Sequence, residues 1–136
     1  MQSYFGQRSA SLRYRAQHEK EVAQVGPKAA KLIESLTVDA PGFVSIVSIV
    51  ELGRFLSSCY GLTRQQLAQA LEALLRTKEV VIDRADHVLK ALRVFKATSA
   101  DLADCLIERS AVSAGCVRTM TFDIGAAKTA GMSLIH

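Results

Sequence analysis

The chain has no acidic residue before Glu19, only three cysteines, and no apolar run long enough to cross a bilayer. Each absence excludes something. The longest apolar stretch, Gly42 to Val50, is interrupted by Ser45 and Ser48 and falls far short of a membrane span. No signal-peptide pattern opens the chain, and no internal repeat or low-complexity segment is visible. Cys59, Cys105 and Cys116 are odd in number and widely spaced, with no C-x-x-C pair and no histidine at metal-ligand spacing. His18, His87 and His136 are equally scattered. A zinc site and a disulfide framework are therefore excluded, the cysteines read as small reduced core residues, and the expected location is the cytoplasm. The acid-free start, with Arg8, Arg13 and Arg15 among serines, also has the composition of a transit peptide, an alternative left open here.

What is present describes a folded protein. Hydrophobic residues make up 49% and charged residues 22% of 136, enough for one domain over residues 1–136 with a real core. The net charge of +4 permits a polyanionic partner without establishing one.

Local patterns give the order of elements. Gly26-Pro27 starts a helix whose face carries Ala29, Leu32, Ile33 and Leu36. After Pro41-Gly42, the β-branched run GFVSIVSIV predicts a buried strand. A helix follows through Leu52, Phe55, Leu56 and Cys59, closed by Gly61. Thr63 and Gln66 form a capping box for a helix carrying Leu67, Ala70, Leu71, Leu74 and Leu75 inward, antiparallel to the one before. EVVID is a short strand, and Val88, Leu89, Leu92 and Phe95 share a face of the helix after it. Ser99 is the predicted cap of a further helix ending near Ser113 and Gly115. CVRTMTF then reads as a strand, with Asp123 just past its end, before a short helix and a last strand around MSLI. Strands alternating with helices, joined by connections too long for hairpins, predict an α/β fold with a mainly parallel sheet covered on both faces. In such sheets ligands bind beyond the carboxyl ends of the strands.

Acids cluster in that part of the pattern. Asp123 follows a strand, Glu51 is placed at or just beyond a strand-to-helix junction, and Asp101 and Asp104 lie in the first turns of the helix that feeds Asp123. Positions 101, 104 and 108 share a helical face. Converging carboxylates resist ionisation unless a cation lies between them, and Mg²⁺ or Mn²⁺ takes such oxygen ligands. The spacing equally suits acids placed at helix starts by the helix dipole, and Asp101 suits that reading well.

The stretch from about Gly26 to Ile135 resembles the PIN-domain nucleases, particularly the VapC-type toxins of toxin–antitoxin pairs. The resemblance rests on GFVSIVSIVELGRFLSSCYGLTRQQL, SADLADCLIERSAVSAGC and MTFDIGAAKTAGMSLI, with E-L, D-x-x-D-x-L-I and T-F-D in that order. It implies a three-layer α/β/α fold with a central, mainly parallel sheet. Glu51, Asp104 and Asp123 match the family's catalytic, metal-binding acids, and Asp101 matches an accessory acidic position. The implied cofactor is Mg²⁺ or Mn²⁺, and the implied activity is RNA cleavage by metal-activated water. Implied partners are RNA, a second copy of the chain and a VapB-like antitoxin.

The family's first strand ends in an aspartate, and residues 1–25 here are atypical because they lack it. If RYRAQ is matched to the family's first helix, that position falls on or near Gln7. A glutamine carbonyl brings no charge to a hard dication. Two explanations stand: a catalytically inactive PIN-like module that binds nucleic acid or an antitoxin, or a replaced first strand. Arg54 has two readings, a phosphate contact or an i,i+3 partner of Glu51, and Lys128 is a weaker candidate phosphate contact. Ser45 and Ser48 read as partners of local backbone, since no His–acid pair accompanies them.

Overall fold

The computed structural model describes residues 27–28 and 30–136. The chain forms two compact units, Met1–Leu36 and Thr37–His136. In the first, residues 30–35 are helical, but Leu32 and Ile33 of the expected inward face are exposed. Spacing alone marks an apolar face without saying what covers it.

The second unit runs β1 (Gly42–Val44), α1 (Ile46–Cys59), α2 (Arg64–Leu75), β2 (Val80–Ile82), α3 (Ala85–Ala97), α4 (Leu102–Ser113), β3 (Met120–Thr121), α5 (Ile124–Thr129) and β4 (Ser133–Leu134). Both strand pairs are parallel, as the alternation of elements predicts. β1 and β2 align Gly42 with Val80, Phe43 with Val81 and Val44 with Ile82, while β3 and β4 align Met120 with Ser133 and Thr121 with Leu134. Val80 and Ile82 face the core, whereas Phe43 and Val81, opposite each other in register, face outward.

The core sits around α3. Val88, Ala91, Leu92 and Phe95 are buried at helical spacing against α2 and α4, with Leu67, Ala68 and Leu71 on one side and Leu102, Cys105 and Leu106 on the other. Leu89, expected on the buried face of α3, is 41% exposed at its edge. Arg64, the first residue of α2, fastens that helix to the end of α3. Its guanidinium lies 3.8 Å from the Phe95 ring centroid and donates to the carbonyl oxygens of Phe95 (2.7 Å) and Thr98 (3.0 Å). Those carbonyls belong to a helix end with no following turn to bond them, so a planar, multi-donor cation suits the position.

Three local expectations change. GFVSIVSIV is a strand only over Gly42–Val44, because the Ser45 hydroxyl accepts the Ser48 N–H at 3.1 Å and caps a helix there. The β-branched residues continue as helix, and Ile49 is fully buried by it. Ser99 does not cap α4: Ala100, wholly buried and donating to Thr98 Oγ1, keeps the chain out of helix until Asp101 takes the cap position. CVRTMTF pairs only over Met120–Thr121, since its partner β4 is two residues long.

Other local expectations hold. Thr63 and Gln66 make both bonds of the capping box, and Gly61 and Gly115 follow their helices at φ of 63° and 84°. Of the cysteines, Cys105 is in the core, Cys59 is half-buried and Cys116 is exposed, so the core expectation holds for Cys105 alone. Arg84, ahead of α3, has φ 51° and ψ 50° and caps the helix with no side-chain bond. A left-handed non-glycine residue is strained by about 1–2 kcal/mol. Arg84→Gly is expected to stabilise the protein by about 0.5–1 kcal/mol after glycine's larger unfolded-state entropy is counted. A urea titration of both proteins measures it.

Candidate metal centre

Asp123 is fixed from both sides. Its Oδ1 accepts the N–H groups of Gly125 (2.7 Å) and Ala126 (3.3 Å), making it the cap of α5, while its own N–H donates to Thr121 Oγ1 at 3.0 Å. The threonine of T-F-D therefore closes a turn that orients the aspartate. In the sequence Thr121 figures only as the first letter of T-F-D; the signal for its role is a hydroxyl two residues before an acid at a strand end.

Asp101 is the N-cap residue of α4, but its side chain makes no capping bond, so its carboxylate is not spent on the helix. Asp104 lies one turn on, half-buried over the core. Burial raises the Asp104 carboxyl above the ordinary carboxylate range, and the negative charges of Asp101 and then Asp123 raise it further. The structure thus brings Asp101, Asp104 and Asp123 into one electrostatic neighbourhood. Beneath them Cys105 is wholly buried, and burial is the main cause that pushes its thiol up to about 11, leaving it a neutral packing group. Glu108, one turn beyond Asp104, does not join the acids: its carboxylate holds Arg109 through two bonds of 2.6 and 2.9 Å.

Glu51 lies further past the strand-to-helix junction than expected. Because α1 starts at Ile46, Glu51 is in its second turn. Its side chain is exposed, 3.9 Å from Arg54, and is not among the charges that act on Asp104. α1 nonetheless meets the start of α4, where Gly53 leaves room for Leu102: a Cβ at position 53 would lie 3.0 Å from Leu102 Cδ2. Lys128 is exposed on α5, and Gln7 lies outside the described residues.

Among the described residues, no group of three His, Cys, Asp or Glu side chains is placed to enclose a metal ion. Mg²⁺ does not require such a cage, since it keeps several waters and is commonly held by one or two carboxylates with substrate phosphate. A half-buried carboxylate raised by two neighbouring acids is an all-oxygen donor set with unbalanced negative charge, and it fits a hard dication. A shallow cavity of about 450 Å³ beside α2 and α3 offers no competing centre. There Lys96 binds Glu72 at 2.8 Å, and Arg64 is committed to carbonyls.

Parallel strands alternating with helices, and acids gathered where β3 ends and α4 begins, define an α/β protein with an acidic centre at the strand ends. The PIN domain pattern matches residues 25–132, and the chain belongs to that family, whose architecture is three-layer α/β/α. PIN domains are a nuclease fold that typically works with divalent metal ions and binds RNA. No curated protein and no solved structure gives a significant match. No helix among the described residues is long and apolar enough to cross a membrane.

Proposed function

We propose that the protein is a Mg²⁺- or Mn²⁺-dependent endoribonuclease of VapC toxin type. The observation that carries this reading is the PIN domain match over residues 25–132, with Asp101 and Asp123 close enough to act on the half-buried Asp104. Asp104 and Asp123 would hold the ion, Asp123 through Oδ2 because Oδ1 is committed to the α5 backbone. Asp101 is the accessory acid. Glu51 is the remaining proposed acid, carried on the helix that packs against the start of α4, and its exposed 3.9 Å pair with Arg54 is a weak one. When bound, the ion supplies an activated water and neutralises charge on the scissile phosphate. The chain's own contribution is positioning: Thr121 and the start of α5 fix Asp123, and the packing of Leu102, Cys105 and Leu106 fixes Asp104. Arg54 and Lys128 are the proposed phosphate contacts. A second copy of the chain and a VapB-like antitoxin are the proposed protein partners.

The absence of any acid before Glu19 favours a second reading, a catalytically silent PIN module that holds RNA or an antitoxin without cutting. Cleavage of a single-stranded RNA with Mn²⁺, set against the same reaction with chelator, separates the two. The enzyme reading expects metal-dependent internal cuts. If RNA binds and is recovered intact at every metal concentration, the silent module is the correct reading. Gln7→Asp is then expected to restore cleavage, because it returns a charged ligand to the position at which the family's aspartate falls.

A further inference from the structure

The helix that carries Asp104 has no side-chain cap of its own. α1, α2 and α5 begin on Ser45, Thr63 and Asp123, and each of those side chains accepts a backbone N–H of the first turn. α4 begins on Asp101 with no such bond. Its start is set from outside, by the corner at which the chain leaves α3.

That corner is tied on two sides. Thr98 is extended, at φ −133° and ψ −179°, and ends α3. Its hydroxyl donates to the Val94 carbonyl at 2.8 Å and accepts the Ala100 N–H at 3.2 Å, and Ala100 is wholly buried. From the other side Arg64 reaches across from α2. One terminal nitrogen, Nη2, donates to the carbonyl oxygens of Phe95 and Thr98, bridging the last turn of α3 and the first residue beyond it. The guanidinium lies over the Phe95 ring, a second hold on its position. Asp101 follows Thr98 by three residues, and Asp104 is one turn further on, so a change of angle at the corner is carried to both acids. We propose that Arg64 is a positioning residue for the acidic centre: with Thr98 it locks the α3–α4 corner and so sets where Asp101 and Asp104 stand. The role rests on the metal-binding reading of Asp104 and Asp123, and adds what aims the first of them.

Arg64→Met and Thr98→Val each cut one tie and leave the core intact, since both parent residues are exposed. Calorimetric titration of the chelator-stripped proteins with Mn²⁺, run where each variant is folded, is expected to show affinity about tenfold weaker in both. For Arg64 the sign of the change decides its role. Were it only a charge near the acids, methionine would remove a repulsion and tighten Mn²⁺ binding. Were it only a prop for the fold, the folded variant would bind as the parent does. Amide hydrogen exchange of the metal-free protein is the second readout. The Cys105 N–H donates to the Asp101 carbonyl and the Ile49 N–H to the Ser45 carbonyl, both at 3.0 Å and both in buried residues, each the bond that opens its helix. In both variants Cys105 is expected to exchange at least about tenfold faster than in the parent, with Ile49 changed less than about threefold. Parent-like or tighter Mn²⁺ binding by either variant overturns the proposal, and so does equal acceleration at the two amides. If the parent protein binds no Mn²⁺, the metal reading fails and exchange alone decides the placement of α4. Opening confined to Cys105 then upholds the role of Arg64, and equal or absent opening overturns it. Should Arg64→Met fail to fold, Thr98→Val carries both measurements.

Discussion

Asp104→Asn is expected to raise the melting temperature of the metal-free protein at neutral pH and to abolish its metal-dependent cleavage of RNA. The two effects have one cause. In the folded protein the Asp104 carboxyl is raised by burial and by Asp101 and Asp123. The native state therefore holds that proton more tightly than the unfolded chain. Below the ordinary carboxylate range, about pH 4, both states are protonated and no cost arises. As pH rises through the elevated folded value, the native state must ionise a half-buried acid beside two others, and stability is lost. Asparagine escapes that loss. The variant's advantage should be absent at about pH 3 and present at about pH 7. Millimolar Mg²⁺ or Mn²⁺ should erase it, because a ligand that binds only the native state stabilises the parent protein alone. Cleavage should fall on the order of a hundredfold or more, the scale of losing a preorganised charge contact. Melting curves across pH, with and without metal, check the first effect, and a gel-based RNA assay checks the second.

Leu92→Ala is expected to cost about 2–5 kcal/mol, the range for emptying a packed core site. Leu92 is 1% exposed at the centre of the helix that α2 and α4 both contact, so its removal leaves a cavity that no single element can close. For a domain with a total stability of about 5–15 kcal/mol, the loss could consume half of it. Leu89, three residues earlier on the same helix, is the internal control. At 41% exposed, it should lose no more than about 0.5–1 kcal/mol on truncation. Urea titrations with a common m value would report both. Equal losses at the two positions would mean that the face of α3 has been misassigned.

Much of the second unit was legible because its signals are local. The Thr63–Gln66 box, the stripe of Val88, Leu92 and Phe95, and the glycines at 61 and 115 depend on a few neighbouring residues and not on what packs over them. Where a segment had two local solutions, pattern misled. GFVSIVSIV has strand composition, but a single Ser45–Ser48 bond turns most of it into helix, and Glu51 moves from the strand-to-helix junction into a second helical turn. The cap of α4 was decided by a long-range event, the complete burial of Ala100. Of the candidate centre, Asp123 was legible as an acid at a strand end and Asp104 as an acid in the first turn of the helix before it, because those placements follow from chain order. The capping bonds that fix Asp123 were not, nor was the exposure of Phe122. An apolar residue between a half-buried threonine and an exposed aspartate gives no sequence sign that its ring faces solvent.

The central claim is that Asp104 and Asp123 hold a divalent cation. Calorimetric titration of the chelator-stripped protein with Mn²⁺, repeated for Asp104→Asn and Asp123→Asn, tests it without recourse to any substrate. Saturable binding by the parent protein, weakened at least about tenfold in each variant, is the predicted result. No binding at millimolar Mn²⁺, or the same isotherm for all three proteins, would contradict it.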